Sequence, residues 1–327
     1  MSIFNVQFPA LHYSIQWRKC SIAVLIWIVG FTSFTYAAPR IVVTIAPLHS
    51  IVASVTGDVI DPLLLVPGNM SPHAIALRPS QARMLANADM IIRIGPQLEL
   101  FLEASLRASS RKVILVNAMA LPDITLHEIR VEALGSGSEH GNPHENHNHS
   151  ADDGDMHDPH IWLDPDNAGL IAQGIASQLA SIDPDNAVAY LENADAFILQ
   201  MKDLKKELSV LLNPVKREPF FVFHDSWQYF ESRFGLTQAG AVSLSPEKIP
   251  GAAHLVKLRD HIGETGARCL FSEPQFSAKM VRVLALDTGI ATAVIDPLGA
   301  DLDPGPNMYV QMMRNNARIL TDCLSAG

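Results

Sequence analysis

Long apolar runs are scarce in this chain of 327 residues. The run Cys20–Phe31 holds twelve residues, against the roughly 20 that a helix needs to cross a bilayer. No later run is longer and as apolar, which excludes a protein built of membrane spans. Cysteines number three, too few for a disulfide scaffold. Basic residues are also short: 24 Lys and Arg stand against 34 Asp and Glu, for a net charge of −10. That balance excludes a nucleic-acid binder, because phosphate contacts need clustered cations. It suits a cation as partner. No G-x-S-x-G, H-E-x-x-H or P-loop pattern occurs, and no internal repeat is visible. What the chain does have is a 48% hydrophobic share, enough to build a sizeable core and to exclude wholesale disorder. Its length predicts two domains or one large one.

Arg18 and Lys19 precede the Cys20–Phe31 run, and small residues close it at Ala37 and Ala38. A basic flank, a short apolar stretch and a small-residue end form the pattern of a secretory signal peptide. Residues 1–37 are therefore expected to be an export signal. Removing them takes away two cations and no acids, so the net charge moves from −10 to −12. Cys269 and Cys323 remain. Two cysteines in an oxidising compartment read as one disulfide, with two buried thiols as the alternative.

Beyond the signal, β-rich runs alternate with helical stretches. Strands are expected at Ile41–Ala46, Val59–Val66, Met90–Ile94 and Val113–Asn117, then at Phe220–His224, Gln238–Val242, Cys269–Ser272 and Thr292–Ile295. Helical runs include Pro79–Ala88, Gln97–Ala108, Ser226–Phe234, Pro246–Glu264, Pro274–Thr288 and Pro306–Leu324. Continuously apolar strands alternating with helices predict an α/β fold of parallel sheets covered on both faces. Between the two sets, Pro184–Leu212 carries apolar residues at three-to-four spacing, from Val188 and Leu191 to Leu208 and Leu211, with Asp183 as a candidate N-cap. The expected plan is an N-terminal lobe over 38–183, a connecting helix over 184–213 and a C-terminal lobe over 214–327. A ligand in such a fold sits outside the carboxyl ends of the strands.

One segment departs from this pattern. Residues 139–160 hold six of the thirteen His and six carboxylates, with no Lys or Arg. The stretch 139–159 has too few apolar residues to pack a core and is expected to be a loop. Imidazole and carboxylate both bind metals, so His140, His144, His147, His149 and His157 are candidate auxiliary ligands.

Three other groups stand out by position. His73 follows the second strand, His160 closes the His-rich stretch, and His224 ends an apolar strand; Asp296 ends the last strand in the same way. His49, His127, His254 and His261 match no motif and read as surface or helix-packing residues. Glu273, before Pro274, reads as the start of a helix.

His73 within PHAIALRPSQ, then DPHIWLDPDNA, FVFHDSWQYFESRFGL, SEPQFSAKMV and VIDPLG follow one another in order. Together they resemble the zinc-binding solute-binding proteins of ABC importers, the ZnuA type, over about residues 40 to 324. The resemblance implies two α/β lobes joined by one rigid helix, with Zn²⁺ held between them by His73, His160 and His224. In manganese-binding relatives the position of His224 is usually a carboxylate, so His there implies zinc. The chemistry agrees, since Zn²⁺ favours nitrogen ligands and Mn²⁺ oxygen-rich sites. The cysteine pair also matches a disulfide of some zinc binders. Pro72 replaces a Glu that some members carry beside the first His, which leaves Asp296 or a water as fourth ligand.

The implied role is a periplasmic protein, acting as a monomer, that hands Zn²⁺ to an inner-membrane ABC permease and catalyses nothing. A zinc hydrolase is the alternative, because three His with an open position is also a catalytic layout. A surface adhesin or metal store is a third.

Overall fold

The computed structural model describes Ser2 and residues 39–108, 112–130, 156–243 and 251–326. The expected signal over 1–37 lies outside them, apart from Ser2. So do His140, His144, His147 and His149. Residues Ala38–Gly327 form one compact unit.

Among the described residues, eight strands form two sheets. The first contains β1 (Ile41–Ile45), β2 (Leu63–Val66), β3 (Met90–Arg93) and β4 (Ile114–Asn117), in the order β2–β1–β3–β4. The second contains β5 (Pro219–His224), β6 (Thr237–Ser243), β7 (Cys269–Ser272) and β8 (Ala291–Val294), in the order β6–β5–β7–β8. Every pairing is parallel. The two halves thus repeat one topology that the sequence does not repeat. Central strands β1, β3 and β7 are buried along their whole length, which explains their unbroken apolar runs. In each sheet the chain reverses its direction of travel between the first and third strands. That leaves a crevice at their carboxyl ends, and His224 is the last residue of β5.

Nine helices are described: α1 (Ala46–Thr56), α2 (Pro79–Ala86), α3 (Leu102–Ala108), α4 (Pro165–Ile182), α5 (Ala187–Leu212), α6 (Gln228–Phe234), α7 (Ala252–Thr265), α8 (Lys279–Thr288) and α9 (Met308–Ser325). Helix α1 starts directly after β1 and was not foreseen. Ten of its eleven residues are buried, so it has no polar face and shows no amphipathic period.

Helix α5 is the long connector, about 39 Å at 1.5 Å per residue. Its buried stripe is Tyr190, Ala194, Phe197, Met201, Leu204, Leu208 and Leu212. Val188 and Leu191, expected on that stripe, are 68% and 45% exposed. Tyr190 takes the buried place because its hydroxyl reaches the Asp183 carboxylate at 2.6 Å. Asp183 therefore does not cap α5 with its side chain; a 3-10 turn at Pro184–Asn186 leads in. Helix α5 packs on α4, α1 and α9, so it touches helices of both halves. A single apolar core runs from Ile41 and Val43 of the first sheet through α5 to Phe220 and Phe271 of the second.

Cys269, at the start of β7, is bridged to Cys323 on α9, with Cα atoms 6.3 Å apart. Closing a loop of 54 residues is worth at most about 4 kcal/mol through the unfolded chain. Replacing both cysteines by serine is expected to lower the melting temperature while leaving metal stoichiometry unchanged. Calorimetry and metal analysis of the double variant check this.

Candidate metal centre

His73, His160 and His224 are far apart in sequence and meet at one point. One ligand nitrogen from each lies within 4.8 Å of the others. This is the one group of three or more metal-binding side chains found among the described residues. The ring centroids are 5.4 Å apart for His73 and His160, 5.2 Å for His73 and His224, and 4.9 Å for His160 and His224. His160 and His224 are buried, and His73 is half-buried.

Each imidazole has its own support. His73 sits in a 3-10 turn, Pro72–Ala74, that follows β2; its backbone N–H donates to Ser71 Oγ. His160 Nδ1 lies 2.6 Å from Asp158 Oδ1, and the same oxygen accepts the His160 backbone N–H at 2.9 Å. A carboxylate on Nδ1 assigns the proton to that nitrogen and leaves Nε2 with its lone pair. His160 Nε2 lies 3.3 Å from His73 Nε2. Asp158 is itself held, because Tyr229 donates its hydroxyl to the Asp158 carbonyl and accepts the His127 N–H.

The residues after His160 are clamped to the second half. Trp162 Nε1 donates to the Pro297 carbonyl, Tyr309 donates to the Trp162 carbonyl, and Arg233 grips both oxygens of Asp164. Asp164 also caps α4 by accepting the Asp166 N–H.

His224 faces a buried carboxylate. Its Nδ1 lies 3.7 Å from Glu273 Oε2, and Ser226 Oγ donates to Glu273 Oε1. Glu273 was expected to begin a helix, but α8 begins at Lys279. Its position after β7, the strand beside β5, turns it instead towards His224 across the crevice.

The imidazoles differ electrostatically. His73 is held down to about 2, first by burial and then by His160 and His224. Burial also works against a charge on His224, but the charge of Glu273, 3.7 Å away, together with those of Asp158 and Asp225, outweighs it and holds His224 above its ordinary value. His73 is thus ready to coordinate as the neutral base, while the carboxylates around His224 favour its protonated form, with which a metal competes.

The cavity at the three rings is about 10 Å³, about the room that one water needs. Trp162, Phe276 and Leu298 are among its apolar walls.

Asp296 is not in the group. Its oxygens accept the backbone N–H groups of Leu298, Gly299 and Ala300 and one amide hydrogen of Gln275. It organises the turn after β8 rather than offering a free carboxylate. His157 forms an isolated antiparallel bridge with Glu128 and is not in the group either. His49 is buried in α1 and bonds the Pro62 carbonyl through Nε2. His261 stacks edge-on against Phe221, and His254 lies 3.2 Å from the Val242 carbonyl. Asp158, Glu273, Tyr229 and Gln275 were missed as site residues. Asp158 had a visible signal, a carboxylate two residues before a candidate ligand.

The profile of the family described as "Zinc-uptake complex component A periplasmic", ZnuA, matches residues 41–323. The chain belongs to the ZnuA family. A relative from Brucella suis biovar 1, named high-affinity zinc uptake system protein ZnuA, is 40% identical and covers 91% of this chain and 96% of its own. A crystal structure of ZnuA, 28% identical, superposes with a TM-score of 0.73 over 88% of this chain and all of the other. A ZnuA deletion mutant with zinc bound, 29% identical, gives 0.72 over 89% of this chain. That protein holds zinc on a closely similar fold.

Proposed function

We propose that this protein captures one Zn²⁺ between His73, His160 and His224 and delivers it to an ABC permease of the inner membrane. The observation that carries this reading is the convergence of three imidazole nitrogens within 4.8 Å, with no carboxylate in the group. Nitrogen donors in a compact, largely buried setting favour Zn²⁺ over Mn²⁺. Membership of a zinc-uptake family and zinc-named relatives support the same cargo.

The role is binding and release rather than turnover. The cavity at the rings has about the room that one water needs, which suits a small ion as cargo. Asp158 and Glu273 are engaged with ligand imidazoles, so neither is placed as a general base beside a metal-bound water. His73 comes from the first half and His224 from the second. Coordination therefore favours the arrangement in which both halves meet, which is how a transporter distinguishes loaded from empty carrier.

The family's description as periplasmic supports export through residues 1–37, and no described helix is long and apolar enough to cross a membrane. The carrier is proposed to work as a monomer. His140, His144, His147, His149 and His157 belong to the proposal as weaker, auxiliary sites, supported by the His- and acid-rich composition of 139–160.

Titrating the exported chain with Zn²⁺ against a chelating dye, with Mn²⁺ as competitor, tests the reading. One tight zinc per chain that excess Mn²⁺ does not displace is expected. Turnover of esters or phosphoesters by the zinc-loaded protein would favour the hydrolase instead.

A further inference from the structure

Three imidazoles leave a tetrahedral zinc one position short. The nearby carboxylates are engaged: Asp296 on its own turn and Glu273 on Ser226 and His224. Pro72 offers no side-chain donor. One lining residue of the cavity has an unmatched oxygen. Gln275, between β7 and α8, donates from Nε2 to the Gly68 carbonyl at 2.7 Å and to Asp296 Oδ1 at 2.8 Å. Both neighbours are acceptors, so the amide nitrogen must face them and the amide orientation is settled by the network. Gln275 Oε1 is then left fully buried with no partner. It belongs to the residue that lines the cavity with His73, His160 and His224.

Gly68 makes this orientation possible. It lies on the chain that leads from β2 to His73, and a Cβ there would sit 2.6 Å from the Leu298 carbonyl oxygen. Only a glycine brings its carbonyl this close to the second half. One side chain thus ties the His73 segment to the turn after β8 and keeps its own oxygen unbonded.

A buried carbonyl oxygen without a donor is costly, and such groups in native proteins call for a cause. The geometry points to Gln275 Oε1 as the acceptor for a water that completes the zinc coordination. A water on Zn²⁺ is a strong hydrogen-bond donor, because the cation polarises its O–H bonds. A neutral amide accepts that hydrogen without drawing the proton away. A carboxylate there would favour hydroxide, the nucleophile of zinc hydrolases. The amide oxygen itself is a poorer zinc ligand than imidazole or carboxylate, so the water stands between. Gln275 is a positioning residue for the fourth site and rests on the three-His reading above.

The test compares Gln275→Leu with the parent and with His224→Ala, all as the full exported chain. Zinc dissociation is followed with a chelator, zinc-free melting by calorimetry, and the site by the visible spectrum of the cobalt(II)-loaded protein. Gln275→Leu is expected to keep one metal per chain, to release zinc about 5- to 50-fold faster, and to shift the cobalt spectrum. Its zinc-free melting temperature should fall modestly, because two hydrogen bonds are lost and the Gly68 carbonyl loses this donor. Gln275→Met carries the same readings if the leucine variant does not fold. Parental release with a parental cobalt spectrum overturns the inference, as does a lower zinc-free melting temperature with that spectrum unchanged. His224→Ala separates the two levels: if it keeps tight zinc, the three-His site itself is wrong. If it loses zinc while Gln275→Leu behaves as the parent, only the role of Gln275 falls.

Discussion

His224→Ala is expected to weaken zinc binding by about two to three orders of magnitude. Structural zinc sites gain about 10–16 kcal/mol from the whole ligand set, so one ligand of three or four is worth about 3–4 kcal/mol. Each 1.4 kcal/mol is a factor of ten in affinity. Nothing replaces the lost nitrogen. Glu273 stays on Ser226, and Asp225 accepts from Gln238 and lies 3.4 Å from Arg130. The fold should survive, because His224 is the terminal residue of β5 and the strand is paired on both sides by β6 and β7. Competition with a chelating dye measures the loss, and zinc-free calorimetry verifies the fold. Parental affinity in the variant would remove His224 from the site. A substitution at His157 should leave the tight phase intact, since that ring is outside the group.

The reach of sequence reasoning here follows the range of the interactions. Parallel strands were legible because burial on both faces makes β1, β3, β5 and β7 continuous apolar runs. The boundaries of these four came within a residue, since Pro, Gly and polar residues punctuate them, whereas β2, expected from Val59, begins at Leu63. Helix α1 was not legible for the same reason that strands were: a segment apolar on every side has no period to read. On α5 the period was visible but its phase was misjudged at the amino end. Val188 and Leu191 are aliphatic yet exposed, and the buried place goes to Tyr190, whose hydroxyl is matched by Asp183.

At the site, position at a strand end or turn singled out His73, His160 and His224, because parallel sheets present ligands there. Their supporting residues depend on contacts that no local pattern encodes. Gln275 reaches Gly68 across 207 positions, and Tyr229 reaches Asp158 across 71. Glu273 looked like a helix start because Pro274 follows it. Only the neighbouring placement of β5 and β7 shows that it faces His224. Asp296 shows the same limit at the end of the last strand. A carboxylate at a strand end is an attractive ligand until its oxygens are counted against the three backbone amides of its own turn.

Zinc affinity is expected to fall as the pH drops through the raised value of His224, by about tenfold per pH unit for each proton that zinc must displace. Zinc needs all three imidazoles neutral. His73 is already neutral at any pH above about 2, so it adds nothing to this dependence. His224 sets the window. Its value lies above the ordinary imidazole figure of 6.5, because Glu273, Asp158 and Asp225 together outweigh burial. Below that value the ring carries a proton that zinc must expel, and affinity drops as acidity rises. Above it the ring is neutral and the dependence flattens. Because the value is raised rather than lowered, the loss begins at a higher pH than it would for a solvent-exposed histidine. Calorimetric titration at about pH 6 in two buffers of different ionisation enthalpy counts the protons directly, and at least one released per zinc is expected. Repeating the titration at progressively higher pH should lower the count. Glu273→Gln tests the cause: without the carboxylate charge, burial lowers His224 and the affinity loss moves to lower pH. A proton count near zero at about pH 6 in the parent would mean that His224 is neutral before zinc arrives, and that Glu273 does not hold its proton.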